Sequence, residues 1–304
     1  MTIVQKGDAQ LKNKHGQLMK LAAYASVFAG TLLTVIKLIA YIFTGSVALL
    51  TSLIDSFIDV VASLINMIAV KQSLIPADAE HRFGHGKVES LAGLAQAAFI
   101  CGSVLFILFE AVTKLVNPVR VEHGVMGIGV ILISIVVTIA LVIFQRHVIR
   151  KTGSVTISAD SLHYASDLWF NISIILAIVL SYYFDVVLAD PVIALGIAVY
   201  IVYNAWCIAM TCLDQLMDRE LPDDDREKIR QIALSHSDVK DVHGLRSRAS
   251  GRDIFIQLHL EMDHKLDLKS AHKIAQEVEE NIYAAYPNAD VIIHQDPDTE
   301  KNKG

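Results

Sequence analysis

Two pairs of ionisable side chains stand inside apolar segments of this 304-residue chain, Asp55 with Asp59 and His163 with Asp167. Each pair is spaced i,i+4, which places both side chains on one face of a helix. An ionisable residue in a membrane span costs roughly 2.5–3.5 kcal/mol by insertion scales, so such residues are functional candidates. Three carboxylates and one imidazole suit tetrahedral Zn(II) and, without thiolate, also admit Fe(II), Mn(II) or Cd(II).

The same four groups can carry protons. Histidine titrates near neutral pH, and a metal must displace protons from its ligands to bind. Metal and protons therefore compete for one site, which is the simplest physical basis for antiport. The alternative is that the aspartates only bond to helix partners and that His163 is a satisfied core histidine. Asn66 and Asn171 share these faces and orient the site or pack helices. For Lys37 the sequence favours snorkelling or a structural ion pair over a role in transport.

Two further groups of residues could bind metal. Asp78, His81 and His85 lie within eight positions of a glycine-bearing segment, where polar residues also serve solubility. In the tail, His294 and Asp296 are spaced i,i+2 on one strand face, and His259 lies on the opposite face of its strand from the neighbouring isoleucine and leucines. We expect His259 to meet them across a sheet.

The elements that position the transmembrane pairs are six long apolar runs. They cover about 20–43, 46–71, 88–115, 124–147, 155–184 and 188–212, each near the roughly 20 residues that cross a bilayer core. Gly45-Ser46, Asn117-Pro118 and Asp190-Pro191 are the turn signals between them. The sequence predicts a six-helix transmembrane bundle over 20–212 after a polar segment over 1–19.

The distribution of lysine and arginine among the loops predicts the orientation of the bundle in the membrane. The N-terminal segment and the loops after spans 2 and 4 carry Lys6, Lys12, Lys14, Lys20, Lys71, Arg82, Lys87, Arg146, Arg150 and Lys151, against Lys114 and Arg120 on the opposite side. By the positive-inside rule, both termini are expected in the cytoplasm of a multi-pass inner-membrane protein.

The last part of the chain, 213–304, has a different composition. It holds 20 of the 32 acidic residues and six of the twelve histidines. Helices over 223–235 and 268–285 and strands over 239–248, 253–261 and 290–296 are predicted, in the order of a ferredoxin-like α+β domain. Its acidity disfavours nucleic acid as a partner, and no GxxxxGK[ST] motif points to a nucleotide.

Six stretches of the chain are similar to the cation diffusion facilitator family, and the similarity covers nearly the whole sequence. They are SxxDSxxD at 52–59, PADAEHRFGHGKVESLA at 76–92, ADSLHYASD at 159–167, LMDREL at 216–221, FIQLHLEMD at 255–263 and VIIHQDP at 291–297.

This resemblance implies a homodimeric zinc/proton antiporter with Asp55, Asp59, His163 and Asp167 as its transport site. It also implies a loop site on Asp78, His81 and His85, a binuclear cytoplasmic site and an ion pair between Lys87 and Asp218 that ties the two membrane domains together. The cytoplasmic ligands would be His243, His259, His272, His294 and Asp296. The family divides at the first residue of the transport site, and Asp55 in place of histidine leaves room for cadmium, iron or manganese.

We therefore expect a transporter, not an enzyme, that exports Zn(II) from the cytoplasm with protons as the counter-substrate. Zinc bound in the tail would be a structural or regulatory ion. Two alternatives remain: an intramembrane metalloenzyme that activates water on zinc, and a metal-sensing membrane receptor without flux. Against the enzyme, all four residues serve as ligands and none is left as an evident base.

Overall fold

The chain's computed structural model describes residues 3–116, 125–184 and 188–298. It divides into two compact units, residues 14–213 and residues 214–304 with 1–13. The Asn117-Pro118 turn signal and Arg120 lie outside the described residues. The predicted domain limits, 1–19, 20–212 and 213–304, remain a prediction.

Six long helices form the first unit, and each contains a stretch long and apolar enough to cross a membrane. Their bounds are α1 Ile3–Thr44, α2 Val47–Ser73, α3 Lys87–Val116, α4 Val125–Thr152, α5 Val155–Phe184 and α6 Ala189–Leu216. The six predicted spans are confirmed, with ends shifted by a few residues. The largest difference is α1, which begins well before the apolar run and continues the helix through the polar segment.

Glycines end two of these helices where the chain must turn sharply. Gly45 after α1 and Gly153 after α4 have φ of 63° and 64°, and their amides donate to Tyr41 O and Ile149 O at 2.8 Å each. A left-handed residue closing the last turn is a common helix C-terminus. By contrast, Asp190-Pro191 lies inside the first turn of α6, where proline needs no amide partner.

A small residue brings α1 close to α2 and α5. A Cβ at Gly30 would lie 3.0 Å from Tyr164 Oη and 3.2 Å from Val60 Cγ2. Tyr164 Oη donates its one hydrogen to Ser26 O at 3.0 Å and therefore accepts from Ser63 Oγ at 2.9 Å. These contacts fix the three helices at the level of the predicted metal ligands on α2 and α5.

The second unit is a small α+β domain, as predicted. It contains α7 Asp223–Leu234, β1 Asp241–Ser250, β2 Asp253–Met262, α8 Leu268–Ala285 and β3 Ala289–Pro297. The strand order is β1-β2-β3, with β1 antiparallel and β3 parallel to the central β2. A parallel pair needs a crossover, and α8 supplies it.

One face of the sheet builds the core of this domain. On β2 the side chains of Ile256, Leu258 and Leu260 are buried, while Gln257 between them is exposed. They pack with Val278 and Ile282 of α8. The alternation leaves the opposite face of β2, which carries His259, free for other contacts.

Replacing a core residue of this sheet should destabilise the domain strongly. Leu258 is 1% exposed, so Leu258→Ala is expected to lower the free energy of unfolding by about 2–5 kcal/mol through lost burial and the cavity left behind. Ile292 on β3 is 57% exposed, and Ile292→Ala should change it by less than about 0.5 kcal/mol. Hydrogen exchange of the β2 amides in the full chain measures both, and equal effects would contradict this account of the core.

Candidate metal sites

Three of the four predicted transport residues meet inside the helical unit. Asp59 of α2 and His163 and Asp167 of α5 offer ligand atoms that all lie within 4.8 Å of one another. His163 Nε2 lies 3.0 Å from Asp59 Oδ1 and 3.8 Å from Asp167 Oδ2, and the imidazole is buried. One nitrogen and two carboxylates thus converge as a divalent transition metal requires.

Asp55 is placed differently from the other three. It is exposed on α2, and the group of converging ligand atoms among the described residues does not include it. It lines a cavity of about 690 Å³ that Asp59, Asp167 and Asn171 also line. The i,i+4 spacing puts Asp55 on the correct face, but one turn of helix separates it from the cluster.

A buried carboxylate also lies close to this cluster, and the sequence reasoning missed it. Asp160 is 1% exposed. Its Oδ2 accepts hydrogen bonds from Ser26 Oγ at 2.5 Å and Gln145 Nε2 at 2.7 Å, and its Oδ1 accepts one from Asn66 Nδ2 at 3.0 Å. Four helices therefore meet at one carboxylate, and Asn66 serves this junction instead of the metal ligands.

The signal for Asp160 was present in the sequence. It is an acid in an apolar span, and the cost of burying it would have marked it as readily as Asp167. It stands three residues before His163, so a search for i,i+4 pairs passes over it. Its partners come from α1, α2 and α4, and no spacing within one segment indicates them.

In the tail, three histidines form a row across the sheet. His243 of β1 pairs in register with His259 of β2, which pairs with His294 of β3. Their ring centroids are 5.1 Å and 4.8 Å apart. The sequence predicted that His259, His294 and Asp296 would meet across a sheet, and the structure brings these three together with His243.

Asp296 lies within reach of all three rings. Its Oδ2 is 2.8 Å from His259 Nδ1 and 3.2 Å from His243 Nε2, and its Oδ1 is 3.1 Å from His294 Nε2. The hydrogen bond from His259 holds the pKa of Asp296 below its usual range, with the other two histidines adding to the effect. A carboxylate with two oxygens facing different imidazoles has the donor set for two zinc ions.

A glycine makes room for this row. Gly244 has φ of 60° and stands in the irregularity of the β1–β2 register between His243 and Arg246. A Cβ at this position would lie 2.8 Å from His259 Cδ2. Gly244 thus serves both as a bulge residue and as the gap that His259 fills, a role that sequence analysis did not identify.

His272 does not join the row. It is exposed on α8, and the groups of potential ligands found in the described part of the chain do not contain it. Its assignment as a ligand therefore stays a prediction that came from the family resemblance alone.

The loop between α2 and α3 brings its three predicted residues together. His81 Nδ1 lies 3.4 Å from Asp78 Oδ1, and His85 Nε2 lies 3.6 Å from Asp78 Oδ2. Asp78 also accepts the amides of His81 at 2.6 Å and Glu80 at 2.9 Å, and the first of these bonds leads in lowering the pKa of Asp78. Asp78 thus shapes the loop in addition to offering a ligand.

The predicted ion pair between Lys87 and Asp218 joins residues of different units and stays a prediction. Lys87 is the first residue of α3. Within its own unit Asp218 has φ of 58°, and its Oδ2 lies 3.1 Å from Arg248 Nη1.

Comparisons with known proteins match both units. The cation efflux transmembrane domain matches residues 23–217, and the cytoplasmic domain of cation efflux proteins matches residues 221–298. The chain belongs to the cation efflux family. This is the cation diffusion facilitator family that the sequence motifs indicated.

Relatives of this cation efflux protein match over nearly their full length. The cation-efflux pump FieF of Cronobacter sakazakii is 46% identical over 287 residues, which is 94% of this chain and 95% of that protein. FieF of Citrobacter koseri matches at the same identity and coverage. A solved structure of CzrB, described as a candidate zinc transporter in its zinc form, is 28% identical and covers 28% of this chain and 99% of its own, with a TM-score of 0.26.

Removing the carboxylate shared by the histidine row should abolish metal binding in the tail of this cation efflux protein. Asp296→Ala is expected to lose at least one zinc per chain, measured by elemental analysis after desalting at pH 7.5. Because protons compete with a metal ion for its imidazole ligands, this zinc should also be lost on acidification to pH 5.5. His236 lies 3.0 Å from Glu277 and outside the row, so His236→Ala serves as the control and should keep all its zinc.

Proposed function

We propose that this cation efflux protein exports divalent transition-metal ions, zinc first, from the cytoplasm in exchange for protons. The observation that supports the proposal most directly is the convergence of Asp59, His163 and Asp167 within 4.8 Å inside the helical unit. A cavity of about 690 Å³ opens beside them. A cation is needed where carboxylates face each other in an apolar bundle, and a metal or protons can supply it.

Asp55 completes the proposed transport site as a fourth ligand. It lies on the same face of α2 as Asp59 and lines the same cavity. Oxygen and imidazole ligands without a thiolate bind zinc, and they also accept Fe(II), Cd(II) and Mn(II). We therefore propose zinc as the leading substrate and the other three as competitors.

Proton coupling follows from the ligands themselves. His163 and the carboxylates bind metal only when they are deprotonated, so protons that enter from the opposite side help to expel the ion. We propose that the helical unit alternates between the two faces of the inner membrane, with both termini in the cytoplasm. The positive-inside distribution of lysine and arginine supports that orientation.

The tail is proposed as the sensor and dimer domain. Zinc on His243, His259, His294 and Asp296, with His272 as a further ligand, would stabilise the transport-competent homodimer. The loop site on Asp78, His81 and His85 is proposed as structural or regulatory, and Lys87 and Asp218 as the ion pair between the two membrane domains. The domain limits 1–19, 20–212 and 213–304 belong to the same proposal.

A flux assay in proteoliposomes tests the core of this function. Zinc uptake should be accompanied by proton movement in the opposite direction, and the initial rate should rise when the proton gradient favours exchange. Zinc, iron, cadmium and manganese are each compared at several pH values. Zinc-dependent activity on a peptide or lipid without flux would favour the metalloenzyme, and zinc binding without flux would favour the receptor.

Replacing a converging ligand should stop transport and spare the tail. Asp59→Asn keeps the shape of the side chain but removes its charge, so we expect zinc flux to fall by roughly two orders of magnitude or more. Zinc bound to the tail should be unchanged. Thr138→Val provides the control, because Thr138 lines the same cavity without belonging to the ligand group. Equal loss in both variants would contradict the assignment of Asp59.

A further inference from the structure

Lys37 places a positive charge inside a membrane helix, away from its ends. It lies about two turns before the end of α1 at Thr44. Lysines near helix ends commonly extend to the membrane surface. Lys37 instead reaches across to α2, where its Nζ donates to Ser56 Oγ at 2.6 Å and to Ser52 O at 3.2 Å.

The two serines hold this ammonium beside the transport carboxylates. Ser52 and Ser56 lie three residues before Asp55 and Asp59, respectively, a spacing that makes side chains neighbours on a helix surface. Lys37, Asp55, Asp59 and Asp167 all line the same cavity. The negative charges of the three aspartates attract the ammonium.

Negative charge dominates the rest of the cavity wall. Glu110 of α3 adds a fourth carboxyl group to the lining. Among the described residues that line the cavity, Lys37 is the one lysine or arginine. An ammonium has no lone pair to offer, so it cannot ligate a metal, and it repels a divalent cation that enters the same space.

We propose that Lys37 is the resident counter-cation of the transport cavity, and that it weakens the binding of divalent metal so that the cargo can leave. The inference rests on the proposed function, since it takes Asp59, His163 and Asp167 as the transport ligands. When no metal is bound, the ammonium balances part of the negative charge of the cavity. When metal enters, the fixed positive charge raises the free energy of the loaded site.

This arrangement matches what transport requires of a binding site. A site must attract its ion enough for entry and hold it weakly enough for release. Without a positive neighbour, four carboxyl groups and an imidazole would bind Zn(II) so tightly that its slow release would limit transport. A tethered ammonium lowers the affinity without removing a ligand, and it needs no second ion to do so.

Neutralising Lys37 tests the proposal in the full-length protein. Lys37→Gln keeps hydrogen-bonding capacity toward the serines but removes the charge, and Lys37→Met is a second neutral variant in case one fails to fold. Lys37→Arg keeps the charge. Thr138→Val keeps the charge of Lys37 and changes the cavity wall at a residue outside the ligand group. Zinc affinity is measured at pH 8, with the binding that survives in Asp59→Asn subtracted as belonging to the other sites.

The neutral variants should bind zinc at least about tenfold more tightly than the wild type. In proteoliposomes they should show a lower KM together with a lower maximal rate, because release becomes slow. Lys37→Arg and Thr138→Val should stay within about threefold of the wild-type affinity.

Two results would overturn the role of Lys37. One is unchanged or weaker zinc affinity in the folded neutral variants, and the other is an equal change in Thr138→Val, which would assign the effect to the packing of the cavity wall instead of charge. A wild-type protein with no Asp59-dependent zinc binding would instead overturn the proposed function itself. The two failures are thus distinguishable within one set of measurements.

Discussion

A carboxylate held between apolar helices must be matched by hydrogen-bond donors or by a cation, and the helical unit of this protein depends on that requirement. Removing an unmatched charge from water costs several kcal/mol even after the protein relaxes. Asp59, Asp160 and Asp167 all lie in helices of membrane-spanning length. The positions of α1, α2, α4 and α5 follow from how each of these acids is matched.

The acids are matched in two different ways. Asp160 accepts hydrogen bonds from Ser26, Asn66 and Gln145, all of which are neutral and belong to other helices. Both oxygens of the Asp160 carboxylate are thus hydrogen-bonded within the protein, which ties the four helices together. Asp59 and Asp167 instead face His163 and a cavity, where in the proposed function metal ions or protons, together with the ammonium of Lys37, balance their charge. The bundle therefore contains one acid, Asp160, that is held by neutral donors, and beside it two acids, Asp59 and Asp167, that face the cavity.

Sequence analysis could predict what depends on local pattern. Six apolar runs predicted the number of spans and their approximate positions, because hydropathy needs no knowledge of tertiary contacts. The order of helices and strands in the tail indicated an α+β domain. The i,i+4 spacing predicted a site on Asp55, Asp59, His163 and Asp167, of which the structure brings the last three together.

What depends on contacts between segments could not be predicted. Asp160 is recognisable only with partners from three other helices. Asp55 shares a face with Asp59 yet remains outside the cluster, since periodicity gives direction but not depth along the helix axis. The role of Gly244 becomes visible only from its close approach to the ring of His259 on the neighbouring strand. The early start of α1 in a polar segment was also not predicted, because hydropathy shows which part of a helix can be buried and not where the helix begins.

The register of the histidine row has a mechanical consequence for the tail. β1 and β3 are the two edges of a three-stranded sheet, and the row runs from one edge to the other through β2. An ion held by the row would clamp both edges at the same level and restrict the twisting of the whole sheet. The edges of a sheet are also the places where another chain can add on. A rise in free metal concentration around the tail would in this way make the edges of its sheet more rigid. This change would not require any helix to move.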